Sequence, residues 1–195
     1  LQEALTQVLD KLGDLTILYA DRKELTEHLK DRPDLVILAS ENRLDPESDN
    51  PEEWMTEFEE GKIVDYVKKG GSWLVWHSGL ASYQKWATYI DMVGGSFDYH
   101  PEKHVSVNYK YIEESSLTYG KEEFSITNEH YFVNYSKDIT VTMTSSSEYG
   151  ESVAGWTKKY GEGEVCVYIP AHNKEGLMSR PVQTDLEAVI KKMIK

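Results

Sequence analysis

The 195-residue chain contains a single cysteine, Cys166, which excludes an intramolecular disulfide and a cysteine zinc cluster. That residue lies in the run Glu164-Val165-Cys166-Val167-Tyr168-Ile169, which reads as a buried strand, so an inert core thiol is expected. No apolar stretch approaches the roughly 18 to 20 residues that span a bilayer, and membrane insertion is not expected. Basic residues are in deficit: 21 Lys and Arg against 34 Asp and Glu give a formal charge of −13. Such a field disfavours nucleic acid and anionic lipid and suits an uncharged or cationic small ligand. It is equally the mark of a surface kept apart by self-repulsion.

Phosphate cradles are missing as well. Gly70-Gly71 and Gly161-Glu162-Gly163-Glu164 each precede an apolar run, whereas a phosphate loop follows a strand and opens a helix. Both read as turns. There is no internal repeat and no low-complexity linker, and at 39% hydrophobic residues residues 1–195 are read as one domain with one sizeable core. The chain begins at Leu1 without a basic and apolar leader. The cytoplasm is the favoured compartment, with export and homo-oligomerisation left open.

What is present is an alternation of helical and strand patterns. Leu1, Leu5, Val8, Leu9 and Leu12 are spaced as on a helix that stops at Gly13. Strands are predicted over 15–19 and 35–39, the second without polar interruption and so expected to be buried on both faces. Between them Leu25, His28 and Leu29 predict a helix that Pro33 stops. A polar loop over 42–50 and a helix over 51–69 follow, with Pro51 in its first turn and Gly70-Gly71 at its end. A strand over 73–76, a helix over 80–90, a core strand over 165–169 and a closing helix over 186–194 complete the pattern. The section from 105 to 143 is rich in Tyr, Thr and Ser, and predicts less regular, partly antiparallel strands. Strands alternating with helices predict an α/β fold built on a parallel sheet.

The stretch from Gly70 to Gly79 reads as a buried strand running into a tight turn with His77 at its tip. Open α/β sheets place their sites at such strand ends. The same turn carries a serine or cysteine nucleophile in many hydrolases, but here the neighbour is Ser78, and adjacent residues on a turn rarely point at each other. His77 reads as a general acid, general base or metal ligand, against the plainer role of shaping the turn. His172 follows the strand over 165–169 and Pro170, which puts it on the same rim. Glu129, in Thr127-Asn128-Glu129-His130 ahead of Tyr131-Phe132-Val133, is expected to have its pKa raised by aromatic neighbours. His100 precedes Pro101 and is presented from a loop; His104 is a secondary candidate.

His77, His100, His172 and Glu129 would make a sensible shell for zinc or another divalent ion. They come from four separate segments, without the short spacings that mark a metal site. A metal-free acid–base pocket for a polyol is equally compatible, with Trp76, Trp156, Tyr99 and Tyr131 as candidate aromatic faces.

Val75-Trp76-His77-Ser78-Gly79, Val93-Gly94-Gly95-Ser96-Phe97-Asp98-Tyr99-His100-Pro101, Asn128-Glu129-His130-Tyr131, Trp156, Tyr160-Gly161-Glu162-Gly163-Glu164-Val165 and Pro170-Ala171-His172 together resemble the ThuA-like family, over roughly residues 33–172. The resemblance implies a flavodoxin-like three-layer sandwich with a mainly parallel central sheet, as in class I glutamine amidotransferases, and a role in carbohydrate metabolism. With it, His77 and Glu129 are expected to be catalytic, and His100, His172, Ser78, Tyr131 and Trp156 to bind a sugar or small polyol. His77, His100 and His172 are the candidate metal ligands. The chain departs from the family pattern with Asn128 for an acidic residue, Glu164 for arginine and Ala171 for glycine. Those departures lend weight to a non-catalytic binding or interaction module, and the lack of a thiol at the turn speaks against an amidotransferase. Family members open on a strand, which is expected upstream of Leu1 because a lost central strand would leave backbone groups unpaired.

Overall fold

Helices and strands alternate as far as residue 99 and antiparallel hairpins follow, in a computed structural model that describes residues 2–112 and 122–194. Helix α1 (Gln2–Leu9) buries Ala4, Leu5, Val8 and Leu9, the face that the spacing marks. A 3-10 turn at Arg22–Glu24, α2 (Leu25–His28) and a second 3-10 turn at Leu29–Asp31 lead to β1 (Leu35–Leu38). Helix α3 (Glu57–Lys68) starts later than expected. Thr56 accepts the Phe58 N–H through its hydroxyl and Glu59 reaches back to the Thr56 N–H, a capping box that fixes the first turn. Pro51 stays in the loop before it.

Strand β2 (Ser72–Trp76) is buried throughout and ends in a 3-10 turn at His77–Leu80. The helix expected over 80–90 is shortened to α4 (Ala87–Val93), because Ser82 takes a left-handed φ of 68° that a helix cannot contain. Strands β3 (Gly95–Tyr99), β4 (Val105–Tyr111), β5 (Phe124–Asn128), β6 (Phe132–Tyr135), β7 (Thr140–Ser147), β8 (Gly150–Tyr160) and β9 (Gly163–Tyr168) come next. The chain closes with α5 (Lys174–Leu177) and α6 (Arg180–Met193), the latter begun by a proline in its first turn. No helix among the described residues is long and apolar enough to cross a membrane.

The seven-stranded sheet has the order β1-β2-β9-β8-β7-β4-β5, and β3 pairs with β6 apart from it. Only β1, β2 and β9 run parallel; every other pairing in the sheet is antiparallel. The expectation of a mainly parallel sheet is therefore corrected to a curled mixed one. The reason is local: β7, β8 and β9 follow one another through tight turns, and connections that short join only antiparallel neighbours.

Two further expectations change. Residues 15–19 form no strand, and Ile17, Leu18 and Tyr19 are exposed by 39%, 63% and 45%; an apolar run without a neighbouring strand has no ladder to join. Strand β1, expected to be buried on both faces, lies at the sheet edge with only Leu38 fully buried.

The antiparallel half has a positional consequence. Four successive reversals from β9 leave β5 pointing the same way as β9, so the carboxyl ends of β1, β2, β9 and β5 share one rim with the amino end of β4. The curl then draws the far edge inward: the Asn173 amide donates to the Thr127 carbonyl at 2.8 Å. On the face that α6 covers, the buried Asp185 carboxylate accepts from the hydroxyls of Tyr111 on β4 and Tyr168 on β9, each at 2.8 Å. Gly79 lets the turn after β2 press against β1, since a Cβ there would lie 2.2 Å from the Leu38 carbonyl oxygen.

Candidate functional site

His77 sits where β2 meets the turn, at a left-handed φ of 42°. A β-carbon is strained there, and the conformation turns the imidazole across the rim. The ring is buried, and its Nδ1 lies 2.6 Å from the Ile169 carbonyl oxygen beyond β9. A carbonyl only accepts, so Nδ1 carries the hydrogen and Nε2 faces outward. Nε2 lies 3.2 Å from Oε2 of Glu129, the residue after β5.

The other oxygen of that carboxylate is ringed by imidazoles. From Oε1 of Glu129, Nε2 of His104 is 3.7 Å away, Nε2 of His172 3.8 Å and Nε2 of His100 4.0 Å. Four of the six histidines in the chain thus meet one carboxylate. His172 is oriented by Asn128, whose Oδ1 accepts from the ring Nδ1 at 3.0 Å and from the His172 backbone N–H at 3.3 Å. Asn128 in turn donates through Nδ2 to the Tyr109 hydroxyl at 3.0 Å. His100 donates from Nδ1 to the Pro101 carbonyl at 2.8 Å. Tyr131 packs on His77 with ring centroids 4.1 Å apart and is stacked against His100, while His172 also stacks on His77, with centroids 5.2 Å apart.

The electrostatics differ from the expectation for Glu129. Its pKa is lowered to about 2, chiefly by the hydrogen bond from His77 and further by the charges of His172, His77 and His100, which outweigh burial. The aromatic neighbours therefore do not make it a neutral acid: it is an ionised carboxylate at neutral pH. Burial shifts His172 the other way for a base, pushing its pKa below the ordinary histidine value despite the charge of Glu129. An ionised carboxylate surrounded by imidazole nitrogens is a donor set of the kind that binds cations.

Of the residues singled out in the sequence, His77, Glu129, His100, His172 and Tyr131 come together. Ser78 lies beside them, but its hydroxyl donates to the Ala39 carbonyl at 2.9 Å and ties the turn to β1. Trp156 does not reach the rim. It is fully buried and donates to the Val93 carbonyl at 2.8 Å, so its ring offers no face to a ligand. Trp76 is likewise in the core. Tyr99 is half-exposed, stacks on Phe132, and lines a separate cleft of about 470 Å³ with Tyr135, Asn108, Lys110 and Glu151. None of the clustered histidines lines that cleft. His104, a secondary candidate in the sequence, belongs to the cluster. The one signal for it is its place four residues after His100, just ahead of β4.

The three departures from the family pattern are not equivalent. Asn128 is within the site. Ala171 has a left-handed φ of 70°, a conformation for which glycine is the natural residue. Glu164 stands near the amino end of β9, opposite the rim, and pairs there with Lys159 at 2.8 Å.

An α/β architecture with this curled mixed sheet is that of the ThuA-like proteins. A ThuA-like protein from Bacteroides uniformis is 16% identical and superposes with a TM-score of 0.69, covering 96% of this chain and 80% of its own. A cytoplasmic protein from Salmonella typhimurium LT2 is 15% identical with a TM-score of 0.73, covering 99% of this chain and 87% of its own. A cold-adapted β-galactosidase from Rahnella is 14% identical with a TM-score of 0.57, over 82% of this chain but 22% of its own. The sequence matches no curated protein. The chain belongs to the ThuA family, described as trehalose utilisation, whose profile matches residues 2–190. That description carries a carbohydrate-related role in general terms.

Proposed function

We propose that the chain binds a sugar or small polyol at the histidine rim and exchanges protons with its hydroxyl groups through His77 and Glu129. The observation that carries the reading is the 3.2 Å approach of His77 Nε2 to Glu129 Oε2. A ring fixed at Nδ1 and an ionised carboxylate form a pair that both takes and returns a proton. His100 and His172 are half-buried, within reach of a ligand on the rim, and supply hydrogen bonds to its oxygens. Tyr131 holds the rings in register. The family's description supports a sugar over other polar ligands. The parallel strands β1, β2 and β9 support an amidotransferase-like, flavodoxin-like origin for the scaffold, and the match over 2–190 supports a single domain.

The test is a thermal-shift and calorimetric screen of mono- and disaccharides, oxidised sugars and polyols, run in EDTA. A sugar that raises Tm for the wild type and fails to do so for Glu129→Gln is the expected result. Absence of stabilisation by any of them overturns the reading.

A second reading is a sugar-binding module without chemistry. Asn128 in place of an acidic residue favours it, as does the likeness of this fold to a fraction of a larger β-galactosidase chain. Incubating the bound sugar with the protein and following it by NMR separates the two, because the module leaves the sugar unchanged.

A further inference from the structure

Among the described residues, every ion pair of Glu129 is with an imidazole. Three of those imidazoles share one orientation. Nδ1 of His77, His172 and His100 lies 2.6, 3.0 and 2.8 Å from the oxygens of Ile169, Asn128 and Pro101. The Asn128 amide is not ambiguous, because its Oδ1 also accepts a backbone N–H, which only donates. With Nδ1–H tied off in this way, each neutral ring directs the lone pair of Nε2 toward the carboxylate. Lone pairs facing lone pairs repel, so the arrangement is stable only around a positive charge. Carbonyl or amide oxygens behind Nδ1 are also the outer contacts that metal-bound histidines make.

The spacing suits an ion larger than a proton. One ligand atom from each of His77, Glu129 and His172 can be chosen so that all three lie within 4.8 Å of one another. Ligands at about 2.0 to 2.2 Å from a tetrahedral ion stand about 3.4 Å apart, so closing on the ion moves each side chain by less than about 1 Å. His104 and His100 approach only the carboxylate, at 3.7 and 4.0 Å, and stand outside that group of three.

We propose that His77, His172 and Glu129 bind a divalent transition-metal ion of the zinc class, with His104 and His100 at the mouth of the site. Nitrogen-rich donors with one carboxylate select such ions over calcium or magnesium. In the loaded protein the ion takes the place of the proton that His77 and Glu129 share in the metal-free one, so it would replace their proton exchange and offer the oxygens of a polyol an electrophilic anchor instead. The inference stands on the imidazole geometry and not on the sugar reading. Its test contains no sugar, whereas the sugar screen runs in EDTA, so either can fail alone.

The full chain is stripped with EDTA, dialysed, and titrated with Zn²⁺ by calorimetry and with Co²⁺ by visible absorption. One ion per chain is expected, with the intense d–d bands of a low-coordinate cobalt site. Affinity is expected to fall at least about 100-fold in His172→Ala and in Glu129→Gln, and to persist in His28→Ala, outside the cluster. His172 is half-buried rather than core, so that variant reports even if loss of Glu129 disturbs folding. No saturable uptake by the wild type overturns the proposal. So does uptake that survives in both variants, which would place the ion elsewhere.

Discussion

The side-chain amide of Asn128 holds His172 twice, taking its backbone N–H at 3.3 Å and its ring Nδ1 at 3.0 Å. Asn128 ends β5 at one edge of the sheet, and His172 follows β9 near the middle. The pair closes the curl and sets one wall of the site together. Asn128→Ala removes both acceptor contacts and the donor to Tyr109 in a fully buried position. A loss of about 2 to 3 kcal/mol in unfolding free energy is expected, read from urea denaturation, and the affinity for the proposed ion is expected to fall about 10- to 100-fold. A neutral effect on both would mean that the amide merely fills space.

The depressed pKa of Glu129 makes an acid-limb prediction for the metal-free protein. Its pKa is held down to about 2 in the folded chain, below the ordinary glutamate value of 4.5. Its contribution to stability, on the order of 3 kcal/mol, is complete above the unfolded pKa and is lost as pH falls through the folded one. Wild type is expected to lose this stability between about pH 5 and pH 2. Glu129→Gln is expected to start lower at neutral pH and to converge with wild type in acid. Parallel curves over that range, from urea titrations in EDTA, would remove the carboxylate from the account.

Backbone strain at His77 gives an ordering of two variants. Its φ of 42° suits glycine and costs a residue with a β-carbon about 1 kcal/mol. Both His77→Gly and His77→Ala lose the bond to Ile169, so their difference isolates the backbone. His77→Gly is expected to be the more stable by about 1 kcal/mol. The reverse order by thermal denaturation would show that the turn relaxes when the ring is gone.

Asp185 joins two strands that do not touch in the sheet. Its carboxylate accepts from both Tyr111 and Tyr168, and burial, with the Asp185 charge beside it, raises the Tyr111 pKa. Asp185→Ala removes the acceptor of both phenols and is expected to cost about 3 kcal/mol or more. Tyr111→Phe, which keeps the carboxylate and the Tyr168 contact, is expected to cost about half as much. Equal losses in denaturant titrations would instead point to repacking of α6.

Local pattern made part of this molecule legible. The buried run before His77, the turn after it and the strand before His172 are read from a few neighbouring residues each, and their rim placement follows from two parallel strands. Other features depended on partners. Residues 15–19 have strand composition yet join no strand, and Ile17, Leu18 and Tyr19 are exposed. Trp156 has the composition of a sugar platform but points into the core. Pro51 marked a helix start that Thr56 and Glu59 supply instead.

By itself the sequence determined the family, the α/β character, the histidine at the strand end and the single cysteine within a core strand, because each rests on contiguous motifs or on counting. Only the tertiary structure decided that His104 joins the site, that Asn128 orients His172, and that Glu129 is ionised. These depend on four antiparallel steps and a curl that return β5 to the rim of β9. Spacing along a chain carries no record of such a curl, since the residues that meet, His77, Glu129 and His172, are separated by strands whose register is settled by packing.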